Sequence, residues 1–236
     1  DEKIKAAIEN VQKDISITYT DLQQEAIYKA LKNKLTVITG GPGTGKSTII
    51  NGILRSYAIL NKLTFPSDEL DSKIIMMAPT GRAAKRMSEV TRFKATTIHR
   101  ALGYNYEGGF TFSEDSPLSC SLAIIDEASM IDINLAASLF KAIPLSARVI
   151  LVGDENQLPS VGPGNVFHDV IASDLFTTVK LFEIMRQAKD SNIVNLSHMV
   201  FSGTMDFRIF SQKKEVYFYP CEAKDLKQML FKMLDA

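Results

Sequence analysis

The chain has 236 residues, 45% of them hydrophobic and 23% charged, and its 27 basic side chains balance 27 acidic ones. That composition supports a packed core and excludes a disordered chain, which combines low hydrophobicity with high net charge. Its longest apolar runs, such as Ile74–Ala78 and Leu122–Ile125, fall far short of the roughly 18 residues of a membrane helix. The opening DEKIKAAIEN has no signal-peptide core. Cys120 and Cys221 lie too far apart for a metal pair and are too few for a disulfide framework. A reduced, cytoplasmic setting without a membrane is the default expectation.

In chain order, Asp21–Lys32 reads as a helix, with Leu22, Ala26, Ile27, Ala30 and Leu31 at helical spacing. A β-like run follows at Leu35–Thr39, then a Gly-rich turn and a helical stretch from about Lys46. Further strand candidates are Ile74–Ala78, Leu122–Asp126, Arg148–Gly153 and Thr178–Phe182, separated by helical stretches such as Gly81–Val90 and Ile133–Ile143. Apolar strands alternating with helices predict an α/β fold, a parallel sheet with helices on both faces. One segment departs from this pattern. In Gly103–Phe112, Tyr and Phe alternate around Gly108–Gly109, which predicts a small inserted β-hairpin.

Charge is neutral overall but sorted locally. Residues 81–100 carry Arg82, Lys85, Arg86, Arg92, Lys94 and Arg100 against the single acid Glu89. Residues 101–140 carry no Lys or Arg, while Glu107, Glu114, Asp115, Asp126, Glu127 and Asp132 are acidic. Such asymmetry marks either a polyanion-binding stretch beside a metal-binding one, or a solvated helix face followed by an acidic loop.

Residues 40–47, GGPGTGKS, fit the phosphate-loop pattern in its expected strand–turn–helix setting. Gly41, Pro42, Gly43, Thr44 and Gly45 can wrap a phosphate with backbone N–H groups, assisted by the helix start at Lys46, Ser47 and Thr48. Lys46 would reach the β- and γ-phosphates of ATP, and the Ser47 hydroxyl would bind Mg²⁺. The metal also needs a carboxylate at the end of a neighbouring strand. LAIIDEAS supplies one: Asp126 for the metal, on the same sheet edge as the phosphate loop, and Glu127 to polarise an attacking water.

With these in place the resemblance becomes specific. GGPGTGKST, APTGRAAKRMSE, TTIHRALGY, IIDEASM, VGDENQLPSVGPG and LFEIMRQ resemble, in order and spacing, the motifs of superfamily 1 DNA helicases of the RecD-like branch. That is the family of the exodeoxyribonuclease V alpha subunit. The likeness runs from about Thr20 to Gly203 and implies a P-loop NTPase with a RecA-like fold, using ATP and Mg²⁺ and acting on single-stranded and duplex DNA. It also implies 5′→3′ translocation, a role in recombination and repair, and partners among the subunits of a recombination complex. Within TDLQQEAI, Gln23 would read the adenine edge, with Gln24 as its neighbouring alternative. Gln157 resembles the glutamine that touches the γ-phosphate and couples it to the DNA groove. Arg186 resembles the arginine that neutralises the transferring phosphoryl group.

The same resemblance implies a DNA groove from Pro79, Thr80, Gly81 and Arg82, from Thr97 and His99, and from the loop carrying Val161. For His99 a structural hydrogen-bonding role stays open. The aromatic hairpin occupies the interval where related helicases carry a strand-separating pin, and an aromatic hairpin packed on the sheet is the alternative. Such motors need two RecA-like domains. The resemblance places the first at residues 1–177 and only the opening of the second at 178–236, as in a piece of a longer helicase. A conjugative relaxase- or phage-type helicase remains an alternative within the superfamily. Outside it stand a P-loop kinase, which has no use for GDENQLP, and a non-catalytic nucleotide-binding scaffold, against which Lys46, Ser47, Asp126 and Glu127 count.

Overall fold

The central apolar runs become strands because both of their faces are buried. In the computed structural model, which describes residues 1–182, 191–212 and 215–234, six strands form one sheet in the order β3-β2-β4-β5-β1-β6. They are β1 (Leu35–Gly40), β2 (Ile74–Ala78), β3 (Ala95–Thr97), β4 (Leu122–Ile125), β5 (Arg148–Gly153) and β6 (Thr177–Leu181). Every pairing is parallel, so all six carboxyl ends share one edge.

Alternate residues divide between two cores. Ile38, Met76, Ile124, Ile150 and Val179 join the side covered by α1 (Glu2–Asp14), α2 (Asp21–Lys32) and α3 (Lys46–Leu60). Val37, Met77, Ile125 and Leu151 join the other side, with Leu139 of α7 (Ile133–Ala142) and Phe167 of α8 (Val166–Ala172). Shorter helices α4 (Asp68–Asp71) and α6 (Ile98–Ala101) flank α5 (Gly81–Thr91) in sequence.

The chain divides into two compact units, Asp1–Ile184 and Met185–Ala236. The expected boundary after Thr177 therefore falls too early. Thr177–Leu181 pairs with β1 from Thr36↔Thr177 to Gly40↔Leu181, so this strand completes the first sheet. Within the second unit, α9 (Asn192–Ser202) ends on Gly203 in the left-handed region, and α10 spans Leu226–Leu234.

The predicted hairpin is reduced to a single antiparallel bridge, Asn105↔Gly109. The Asn105 carboxamide oxygen accepts hydrogen bonds from Glu107 N–H (2.8 Å) and Gly108 N–H (2.7 Å), closing a tight turn in place of two strands. Among the described residues no helix is long and apolar enough to cross a membrane.

Candidate functional site

The phosphate loop forms where β1 turns into α3. Gly43 (φ 77°) and Gly45 (φ 85°) occupy the left-handed region, which a side chain would disfavour. Gly40 is there for a different reason: a Cβ on it would meet Leu181 Cβ and the Thr44 hydroxyl at 2.8 Å. Buried Thr44 donates its hydroxyl to Gly41 O (2.8 Å), bracing the loop from inside. Pro42 and Gly43 lie exposed at its tip, and Ser47 and Thr48 sit half-buried in the first turn of α3.

Lys46 Nζ donates to the loop carbonyls of Gly40 and Gly41, the latter at 2.9 Å. Burial pulls its pKa below the ordinary lysine value, while the charges of Asp154, Asp126 and Glu127 oppose that shift. Three carboxylates thus share the field of one lysine. Asp126 extends from β4, its N–H bonded to Met77 O at 2.9 Å. Burial pushes its carboxyl upward, aided by Glu127, against the Glu127 N–H bond (2.9 Å), Lys46 and Arg86. Glu127 adopts φ 53°, ψ 38°, a left-handed conformation that costs a non-glycine residue about 1 kcal/mol or more. That turn takes its side chain out of the strand's line.

The loop after β5 is pinned to the same place. Asp154 is 4% exposed. Its backbone carbonyl accepts from Gln157 N–H (3.2 Å) and its carboxylate from Asn156 N–H (3.0 Å). Gln157 leaves this turn exposed, and the Ser129 hydroxyl donates to its Oε1 at 3.4 Å. Asp154 was not singled out from the sequence, although it ends the apolar run RVILVG as Asp126 ends LAII. Arg86, in the second turn of α5, entered the sequence analysis only as one of a basic stretch, without a role beside Asp126.

Gln23 is buried at the start of α2, where it forms a capping box with Thr20: its Oε1 accepts Thr20 N–H at 3.1 Å. Gln24 gives its amide to Tyr19 O at 3.2 Å. Arg186 lies outside the described residues.

The expected DNA contacts fall on the other half of the edge. Pro79 and Thr80 follow β2, and exposed Gly81 and Arg82 open α5. Thr80 and Thr97 are N-caps, their hydroxyl oxygens accepting Ala83 N–H and Arg100 N–H, each at 3.2 Å. Capping uses the oxygen as acceptor and leaves the O–H proton to give elsewhere. His99 is exposed and packs among rings, its centroid 5.5 Å from Tyr104 and 5.9 Å from Phe110. The hairpin divides between the two readings given for it: Phe110 and Phe112 pack on the core, and Tyr106 at the tip is 97% exposed. Val161 stands fully in solvent on the loop after β5.

The described residues contain no cluster of three or more His, Cys, Asp or Glu side chains that could hold a metal by themselves. A metal here would have to share its ligands with a phosphate, as the Ser47 and Asp126 pair requires.

The AAA domain family matches residues 23–163. The chain is 38% identical to the ATP-dependent RecD2 DNA helicase of Deinococcus radiodurans, over 72% of this chain and 22% of that protein. It is 36% identical to the RecBCD enzyme subunit RecD of Mycobacterium tuberculosis, over 64% and 28%. Against the RecBCD enzyme subunit RecD of Haemophilus influenzae identity is 32%, over 79% and 36%. The chain thus spans between 22% and 36% of these relatives' length. The crystal structure of a Pif1 helicase from Candida albicans superimposes with a TM-score of 0.58 at 21% identity, covering 83% of this chain and 47% of that one. This likeness concerns the fold, a RecA-like P-loop sheet. The chain belongs to the AAA domain family, and the RecD2 and RecD helicases are its relatives in sequence.

Proposed function

We propose that this chain is the nucleotide-binding half of an ATP-driven DNA helicase, which in the intact protein couples ATP hydrolysis to 5′→3′ translocation and unwinding. One observation carries the reading. Lys46 lies in the field of Asp126, Glu127 and Asp154 at the edge of a parallel sheet whose opposite end bears Thr80, Arg82 and Thr97. A small-molecule kinase has no need of that second half.

The phosphates of ATP take the place of the Gly40 and Gly41 carbonyls as partners of Lys46, and Gln23 reads the adenine. Ser47 and Asp126 fit Mg²⁺, both being hard oxygen donors. When bound, the ion neutralises charge on the β–γ oxygens. Glu127 takes a proton from the water that attacks the γ-phosphorus, while the bond to the β–γ bridging oxygen breaks and ADP departs. Gln157, with one amide that both donates and accepts, reports the γ-phosphate, and Arg186 neutralises the transferring group. Pro79, Thr80, Gly81, Arg82, Thr97, His99 and Val161 hold single-stranded DNA through phosphate and stacking contacts with little sequence preference. The cytoplasm and a recombination complex suit that role.

Titration calorimetry of this chain with Mg·ADP and Mg·ATP tests the first half. Lys46→Ala should lose most nucleotide affinity, since it deletes the cation at the loop's centre. Equal binding by wild type and variant would refute the assignment. In the intact protein, ATP turnover should rise with single-stranded DNA; an ATPase indifferent to DNA would refute the helicase reading.

A further inference from the structure

The Gln157 turn is fixed to the sheet at one residue, Glu155, by two bonds in different directions. Its backbone N–H donates to the Thr39 hydroxyl at 3.0 Å, and Thr39 is the residue before Gly40 of the phosphate loop. Its carboxylate pairs with Lys180 Nζ of β6 at 2.9 Å. Thr39 stands opposite Gly153 of β5 on one side and Lys180 on the other. Glu155, two residues beyond Gly153, therefore reaches over the end of β1 from one neighbouring strand to the other, a span of about 10 Å between strand axes. Its side chain is 23% exposed and that of Lys180 57%.

We propose that Glu155 is a positioning residue: strapped to Lys180 and Thr39, it holds the Gln157 turn at the height where a γ-phosphate is read. The turn is short and internally bonded, from Asp154 O to Gln157 N–H and from Asp154 Oδ1 to Asn156 N–H. A shift at Glu155 is therefore passed to Gln157 and not absorbed between them. On the other side, Lys180 lies in the strand that runs directly into the LFEIMRQ segment and Arg186. The strap thus joins the loop that carries Gln157 to the edge strand β6. This inference rests on the proposed ATP-binding role of the phosphate loop.

Electrostatics and positioning make opposite forecasts for Glu155. Neutralising a carboxylate near the phosphate loop removes repulsion and should favour the more highly charged triphosphate. Releasing the strap should instead weaken the preference for it. The experiment compares Mg·ATPγS with Mg·ADP by calorimetry on this chain, for wild type, Glu155→Gln, Lys180→Met and the double variant. The expected result is an ADP affinity within about twofold of wild type. The ATPγS-to-ADP preference should fall by about fivefold or more in each single variant, with no further loss in the double.

An unchanged or increased preference in Glu155→Gln overturns the proposal, as does equal weakening of both nucleotides or additive losses in the double. If Glu155→Gln does not fold, Lys180→Met alone carries the test. Its side chain is the more exposed of the two, and an unchanged preference there is again a refutation. Absence of all nucleotide binding by wild type would instead overturn the function proposed above, and this inference with it.

Discussion

Gly162 sits closer to a neighbouring side chain than any other residue type could. A Cβ built on it would lie 2.5 Å from Asp132 Oδ2, 2.7 Å from Asp132 Cβ and 2.8 Å from Asp132 Cγ. Asp132 cannot swing aside freely, because its carboxylate caps α7 by accepting from Asn134 N–H (2.9 Å) and Leu135 N–H (2.8 Å). Gly162→Ala must therefore break the cap or lift the loop, which is also tied down by Ile133 N–H to Pro163 O at 2.9 Å. Losing the cap costs about 1 kcal/mol, and forcing a methyl into a packed contact costs about 1–3 kcal/mol. A total near 2 kcal/mol lowers Tm by about 4–8 °C in a domain of this size.

Asp132→Gly deletes the obstructing atoms, and glycine at an N-cap costs only about a few tenths of a kcal/mol. Gly162→Ala in that background should be close to neutral. Thermal unfolding of the four proteins by calorimetry gives the cycle directly. An equal Tm loss from Gly162→Ala in both backgrounds would show that the close approach to Asp132 is not what requires glycine here.

Two other outcomes follow from exposure and burial. Tyr106 is 97% exposed at a tip whose base is anchored by Phe110 and Phe112, so Tyr106→Ala should leave Tm within about 1 °C of wild type. If the tip stacks on a base, the same change should weaken single-stranded DNA binding by about 1–3 kcal/mol in a fluorescence titration; unchanged binding would leave the hairpin as surface structure. Burial pushes the Cys120 thiol up to about 11, whereas Cys221 is exposed. Iodoacetamide at pH 8 should label Cys221 first and Cys120 only after denaturation, because the thiolate is the reacting form. Equal labelling in the native chain, read by peptide mass, would contradict that burial.

The four inner strands β1, β2, β4 and β5 were legible because burial on both faces leaves a largely apolar run, and the observed limits of β2 and β5 match the expected ones. β3 was not legible. Its three residues, Ala95–Thr97, are only half-buried on an edge and carry no apolar signature. Helix α1 was within reach of a closer look, since Ile4, Ala7, Ile8 and Val11 recur at helical spacing, and Ile4, Ile8 and Val11 pack on the first core. The closing of Gly162 on Asp132 could not be read, because it joins residues on two separate loops and leaves no local pattern. The domain limit was misplaced for a related reason. TVKLF reads as a strand from its residues alone, but which sheet it joins depends on pairing with β1.

Strand order bears on how one half of the edge could inform the other. The phosphate loop follows β1 and the basic helix α5 follows β2, and the two strands separating them are β4 and β5. Under the proposed function, a mechanical link between ATP and DNA along this sheet edge passes through the loops that end those two strands. These loops are the ones that carry Asp126 and Glu127, and Asp154 and Gln157. They touch each other through the Ser129 hydroxyl and Gln157 Oε1 at 3.4 Å, a long hydrogen bond and so a weak one. On the phosphate side, by contrast, the β5 loop is held by Glu155 through bonds of 3.0 and 2.9 Å. The two attachments differ in strength, and that difference sets the expected order of events. Under the proposed function, a change at the γ-phosphate should move Gln157 against the firm Glu155 anchor and first break its weak bond to Ser129. In the proposed motor, the loss of that bond loosens the polar link between the two loops while their packing at Gly153 and Ser129 persists, so nucleotide state reaches the β4 loop through the smaller of the two attachments.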